Sequence, residues 1–117
     1  MAYIDGMICS VPDDRKQEFI ESSRKWGAIA KEFGVLECVD CWGDDVPEGK
    51  VTSFPMAVQR KEGETVCFSW MRWPDKATRD AGMKAMMEDE RLRPENNVMP
   101  FDGQRLIFGG FEVLNEG

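Results

Sequence analysis

Thr65-Val66-Cys67-Phe68-Ser69-Trp70-Met71-Arg72-Trp73, closed by Pro74 and Asp75, is the stretch that decides how this chain folds. β-Branched and aromatic residues fill it and a proline ends it, so it reads as a strand. A strand with one wet face alternates apolar and polar residues. Here Val66, Phe68 and Trp70 stand on one face and Cys67, Ser69 and Met71 on the other, so both faces need cover.

Asp75 is a good helix N-cap, and the helix it opens continues through Ala77, Ala81, Met83, Met86 and Met87. Upstream, Lys61-Glu62-Gly63-Glu64 is a turn, Met56 to Arg60 extends or flanks a strand, and Gly43 to Phe54 is a loop of turn residues before Pro55. Val35 to about Trp42 reads as a strand. Before it, Asp13 to Phe33 follows a helical period. Phe19, Ser23, Trp26, Gly27, Ala30 and Phe33 form one stripe with small residues inside it, and Gly34 follows where a left-handed cap sits. Tyr3 to Val11 is the first strand, stopped by Pro12. Arg91 to Pro100 is irregular. Gln104 to Val113 is the last strand, and its Gly109-Gly110 pair signals a bulge or a close backbone approach.

The order is β-α-β-β-α-β over one domain, residues 1–117. That is an α+β, ferredoxin-like pattern: a four-stranded antiparallel sheet with two helices on one face. The other strands share the two-faced character. Tyr3, Met7, Cys9 and Val11 oppose Ile4, Gly6 and Ile8, and Leu106 and Phe108 oppose Ile107 and Phe111. Two helices cover one face only. A second copy of the chain is the simplest cover for the other, giving a homodimer through the sheet face.

Of 117 residues, 42% are hydrophobic and 32% charged, which suits a chain that buries a core of its own. No apolar run approaches the roughly 20 residues of a membrane helix. Met1-Ala2-Tyr3-Ile4-Asp5-Gly6 lacks a basic segment and a cleavage site, so a cytoplasmic protein is expected. A net charge of −7 makes nucleic acid and anionic membranes poor partners. The histidine count is zero, which excludes Ser-His-Asp and Cys-His catalysis, His-ligated haem and His-based zinc sites.

Cys38-Val39-Asp40-Cys41 matches C-x-x-C, a spacing used by redox pairs and metal sites. Its flanks are strand-like, and on a strand residues i and i+3 face opposite ways, so the sulfurs do not converge. Small buried apolar residues are the expectation, with neither metal nor cofactor. Asp44, Asp45 and Glu48 read as an exposed acidic turn.

Two charges sit where apolar residues are expected. Asp5 interrupts an apolar strand, and Arg79 lies on the stripe of Met83, Met86 and Met87. As catalytic residues, Asp5 is a base or orienter and Arg79 an anion clamp. As structural residues, they form an ion pair, Arg79 with Asp5 or Asp102. Trp42, Trp70 and Trp73 near strand ends wall an apolar pocket or belong to the core. Asp102-Gly103, with Arg105 beyond, is a ligand-binding loop or a turn in which Asp bonds its own backbone.

Several stretches carry a wider resemblance: Tyr3-Ile-Asp-Gly6, Lys31-Glu-Phe-Gly34, Cys41-Trp-Gly-Asp-Asp-Val-Pro-Glu-Gly-Lys-Val-Thr52, Val66-Cys-Phe-Ser-Trp70, Arg79-Asp-Ala81, Met86-Met87, and Met99-Pro-Phe-Asp-Gly-Gln-Arg105 leading to Gly109-Gly-Phe-Glu112. Together they span nearly the whole chain and resemble the YbaA-like family of bacterial proteins of unknown function. The order of elements resembles the dimeric α+β barrel superfamily, in which two ferredoxin-like sheets pack face to face. The resemblance implies a fold and a dimer. It implies no activity, because the family has no established one. The superfamily includes cofactor-independent monooxygenases, isomerases, dechlorinases and haem-degrading enzymes, and the last use a histidine this chain lacks.

Three functions stay open. The chain binds and transforms a small hydrophobic or anionic metabolite in a pocket between sheet and helices without a cofactor, or it binds one without turnover, or it is a structural or stress-related dimer with no ligand. A site, if present, is expected near Asp5, Trp42, Trp70, Arg79 and Arg105.

Overall fold

In the computed structural model, which describes residues 1–117, the Thr65–Trp73 run lies within β3 (Glu64–Trp73), an interior strand. β1 (Tyr3–Pro12) pairs with it along its whole length, from Tyr3 opposite Trp73 to Pro12 opposite Glu64. β2 (Glu37–Trp42) and β4 (Ile107–Glu112) form the edges, and the antiparallel order is β2-β3-β1-β4. α1 (Lys16–Glu32) and α3 (Lys76–Glu88) lie on one face, so the ferredoxin-like expectation holds.

Local chemistry sets the boundaries. The Asp75 side chain accepts from the Thr78 N–H at 2.7 Å and starts α3. Gly34 sits at φ 108° just past α1, where a residue with a Cβ would be strained. Met56 to Arg60, read as extending or flanking a strand, instead starts within a single helical turn, α2 (Phe54–Ala57), capped by Ser53, whose hydroxyl accepts from the Met56 N–H. Pro55 favours that first turn because it lacks the donor a helix start wastes. β4 starts at Ile107, three residues later than its sequence pattern implies, because Arg105 is drawn away to Glu64. Register is unbroken through Gly109 and Gly110, so the glycine pair makes a close approach and no bulge.

Register also assigns the faces. Odd residues of β1 and β3 point toward α1 and α3: Tyr3, Cys9, Val11, Cys67 and Trp73 are buried there. Even residues point to the open face, where Phe68 stays 44% exposed, Ile107 41% and Phe111 60%. Phe54 of α2 meets Phe68 edge-on at 6.2 Å, so part of this face has local cover. The Phe111 ring lies over Gly6 and Gly109, about where their side chains would be. No helix is long and apolar enough to cross a membrane.

The core under the helices is split. One cluster gathers Tyr3, Ala30, Val35, Trp73 and Met86 beneath α3, and the other gathers Cys9, Val11, Phe19 and Cys67. The second cluster takes Phe19 from α1 and is also covered by the loop after α3, through Met99, Phe101 and Leu106. That loop is pinned to α1: Ser22 Oγ donates to the Val98 carbonyl at 2.7 Å and Lys25 Nζ to the Asn96 carbonyl at 2.6 Å.

Candidate functional site

Between the two clusters the layers leave a cavity of about 340 Å³. Its apolar walls come from Met71 of β3, Met83 and Met87 of α3, Trp26 of α1 and the loop residues Phe101 and Leu106. The Trp26 indole N–H points at the Met71 sulfur, 3.3 Å away. Methionine is the side chain best able to reshape around a guest.

One end of the cavity is polar and closed. Asp5 enters from β1 and Arg79 from the first turn of α3. Arg79 Nη2 donates to Asp5 Oδ1 at 2.8 Å, and Nε lies 3.2 and 3.1 Å from Oδ1 and Oδ2. The Trp73 indole N–H donates to Oδ2 at 2.8 Å. Both carboxylate oxygens are therefore already accepting. Arg79 Nη1 turns the other way and donates to Asp80 at 3.0 Å. The guanidinium lies 5.2 Å above the Tyr3 ring, a cation–π contact. Its hydrogen bond to Asp5 pushes its pKa up from the ordinary arginine value. Gly110 makes this packing possible: a Cβ there would collide with the Tyr3 hydroxyl and come within 2.9 Å of Arg79 Nη2.

The other polar groups come from α1 and the β2–β3 edge. Ser69 Oγ donates to Asp40 Oδ1 at 2.7 Å. Ser23, buried on the inner stripe of α1, lines the cavity with a hydroxyl that has no hydrogen-bond partner. Cys38 lines it too, and burial, then the neighbouring Asp40 charge, push its thiol up to about 11. At neutral pH it is protonated and a poor nucleophile.

The site residues expected from sequence divide into groups. Asp5, Arg79 and Trp73 come together, Trp73 as a fully buried keystone and not as a pocket wall. Trp70 contributes to the cavity floor, but register turns its side chain to the open face. Trp42 lies elsewhere, 6.5 Å from the Phe19 ring with Lys16 Nζ 5.1 Å over its own, on an outer groove beside α1. Asp102 and Arg105 belong to a separate network near Ser10, which is roughly 17 Å from Asp5 at about 3.3 Å per strand residue. There Arg105 Nη1 and Nη2 grip Glu64 at 2.8 and 2.9 Å, and Asp102 accepts from Arg105 and from the Gln104 N–H. Ser10 Oγ and the Lys61 N–H complete the Glu64 shell, and this set of bonds, Arg105 foremost, lowers the Glu64 carboxyl to about 2.

Sequence reasoning passed over Ser23, Asp40 and Ser69 as site residues. Ser23 carried a signal, a hydroxyl on an apolar stripe, but small residues are also what helix–sheet contact requires. The Cys38 and Cys41 side chains do diverge: Cys38 packs on Gly27 of α1 and Cys41 lies opposite Phe68 on the open face.

A family model described as "Protein of unknown function (DUF1428)" matches residues 2–103. The chain is 49% identical over 114 residues to "Uncharacterized protein YbaA" of Escherichia coli strain K12, covering 97% of each, with the same figures for the Shigella flexneri protein of that name. Among solved structures it is similar to a dimeric ferredoxin-like protein from an uncultured marine organism. That match has a TM-score of 0.59 at 12% identity and covers 100% of this chain and 98% of the other. A dimeric ferredoxin-like protein of unknown function from Jannaschia sp. CCS1 gives 0.54 at 16% identity, covering 95% and 99%.

Proposed function

The chain belongs to the DUF1428 family of proteins of unknown function, and we propose that it is a homodimeric binding domain that holds a small, mainly apolar molecule, without a cofactor, between its sheet and its helices. The cavity beside the Asp5–Arg79 pair carries this reading. Its 340 Å³ lies within the ~300–1,000 Å³ of small-molecule sites, and apolar walls with a few placed polar groups are what such sites have.

Binding is favoured over turnover by the state of the groups that would do chemistry. Both oxygens of Asp5 are held by hydrogen bonds from Arg79 and Trp73, and the Cys38 thiol is protonated. Asp5, Arg79 and Trp73 then serve as a rigid end wall that sets the depth of the cavity. Dimerisation rests on the exposed apolar side chains of the open face, and both solved neighbours are described as dimeric. A standard interface needs only about 800 Å² from each partner.

Fluorescence titration with N-phenyl-1-naphthylamine, a neutral apolar dye, tests the cavity. Enhancement should saturate at one dye per chain, and Leu106→Trp, which fills the cavity, should abolish it while circular dichroism stays native. Binding that never saturates, or that survives in a folded Leu106→Trp protein, would refute the reading.

A further inference from the structure

We infer that the outer groove between α1 and β2 takes an extended acidic peptide segment of a partner protein, which adds to the sheet as a further strand. β2 is an edge strand. The Gly43 N–H donates to the Val66 carbonyl at 2.8 Å, next to the Trp42–Cys67 pair. Antiparallel alternation then turns the backbone groups of Cys41 and Val39 to β3 and those of Cys38, Asp40 and Trp42 outward. Outward N–H and C=O groups are a template for another strand. β2 carries no lysine, proline or bulge to block it, and its register is unbroken from Glu37 to Trp42.

The groove over that edge is open and large, about 710 Å³. Its wall is α1, which runs antiparallel to β2, with Lys16 Nζ over the Trp42 ring at one end and Gly27 packed on Cys38 toward the other. Along the groove α1 presents Lys16, Ile20, Arg24, Ala28 and Lys31, cations alternating with apolar residues. The three cations are exposed and none is in a salt bridge, in a chain of net charge −7. Exposed cations without carboxylates beside a free strand edge favour an acidic strand.

The spacing sets a pattern. Lys16 and Lys31 stand about 22 Å apart along the helix. Partner residues opposite Cys38 and Trp42 are four apart, about 13 Å, and the roughly 5 Å left at each end is within a lysine's reach. Asp40 is the one acid lining the groove, so the residue between them is a hydroxyl and not a carboxylate. Single-stranded nucleic acid also seeks cations and an aromatic ring, but its phosphates meet Asp40 in mid-groove and leave the strand edge unpaired.

Titration of the full chain with the acetylated, amidated peptide Gly-Ser-Glu-Val-Thr-Val-Glu-Ser-Gly, which reads the same in both directions, tests this at low salt. Backbone amide NMR shifts should concentrate on Cys38, Asp40 and Trp42 and saturate. Replacing both peptide glutamates by Gln should weaken binding about tenfold, as should Lys16→Gln combined with Lys31→Gln in a protein of unchanged circular dichroism. N-Methylation of the central Thr, whose N–H faces β2, should abolish binding, while N-methylation of either Val, whose N–H faces away, should leave it. Absence of saturable binding, or a Gln or N-methyl-Thr peptide that binds as tightly as the parent, would overturn the inference. So would oligothymidylate binding the groove more tightly than the peptide, or assembly beyond the dimer that closes the groove with a second copy.

Discussion

Glycine stands inside both long helices, and the same replacement by alanine should act in opposite directions. Gly27 of α1 faces β2: a Cβ there would lie 3.5 Å from Cys38 Cβ and 3.8 Å from its Sγ, ordinary contact distances. Nothing opposes the gain in helix propensity, roughly 0.5–1 kcal/mol. Gly82 of α3 faces Trp73. A Cβ there would lie 2.5 Å from Trp73 Cζ3, 2.7 Å from Cη2 and 2.8 Å from the Phe33 carbonyl oxygen. Carbon atoms prefer about 3.5–4.0 Å, so roughly 1 Å must open. The neighbours cannot give: Trp73 is fully buried and its indole is tied to Asp5, while the third contact is backbone. Overpacking of this kind costs about 1–3 kcal/mol and exceeds the propensity gain. Gly82→Ala should therefore be destabilised by about 1–2 kcal/mol, a fall of roughly 4–8 °C in Tm, while Gly27→Ala should rise by about 2–4 °C. Urea unfolding at one fixed protein concentration, with unchanged slope, reads both. Shifts of the same sign, or a Gly82→Ala protein as stable as its parent, would show that α3 does not sit this close to the sheet.

Acid should weaken the fold through Glu64. Its folded-state pKa of about 2 lies below the ordinary 4.5, so its contribution is full above 4.5 and is lost as pH falls through 2. The difference amounts to about 3 kcal/mol, and Glu64→Gln should flatten the urea midpoint between pH 6 and pH 2.5. Asp5→Ala leaves the Trp73 N–H without its acceptor and Arg79 with only Asp80, and should cost about 2–3 kcal/mol in the same assay. Phe111→Asp places a charge on the open sheet face, and light scattering should then report the 13.3 kDa single chain where the parent protein reports twice that mass. A parent protein that is already monomeric would remove the dimer from the proposal.

Local signals located most of the fold. Asp75 and Gly34 mark helix ends through their own chemistry, and both act where their sequence positions imply. α2 escaped because one turn is too short for any period. β4 was overextended because a run of apolar residues does not show that Arg105 has a partner 41 residues away. Asp5 and Arg79 were legible as misplaced charges, and each proved to be the other's partner. The cavity was not legible at all. Part of its wall is the loop after α3, through Phe101 and Leu106, and loop paths depend on contacts such as Ser22 with Val98 that have no sequence signature. The three tryptophans show the same limit. Their positions near strand ends were readable, but strand parity sends Trp70 to one face and Trp73 to the other, and the sequence does not say which face is which.

The sheet is one residue thick, and its two sides have separate tasks. Along β1, Asp5 and Met7 belong to the cavity side while Ile4, Gly6 and Ile8 belong to the open side. Loss or gain of a single codon within β1 would shift everything beyond it by one place and exchange the two sides at once. Such a lineage would lose both tasks in one step. Point substitutions on either side face no such coupling. Over evolutionary time, indels should therefore stay out of β1 and β3, while each side of the sheet drifts on its own schedule.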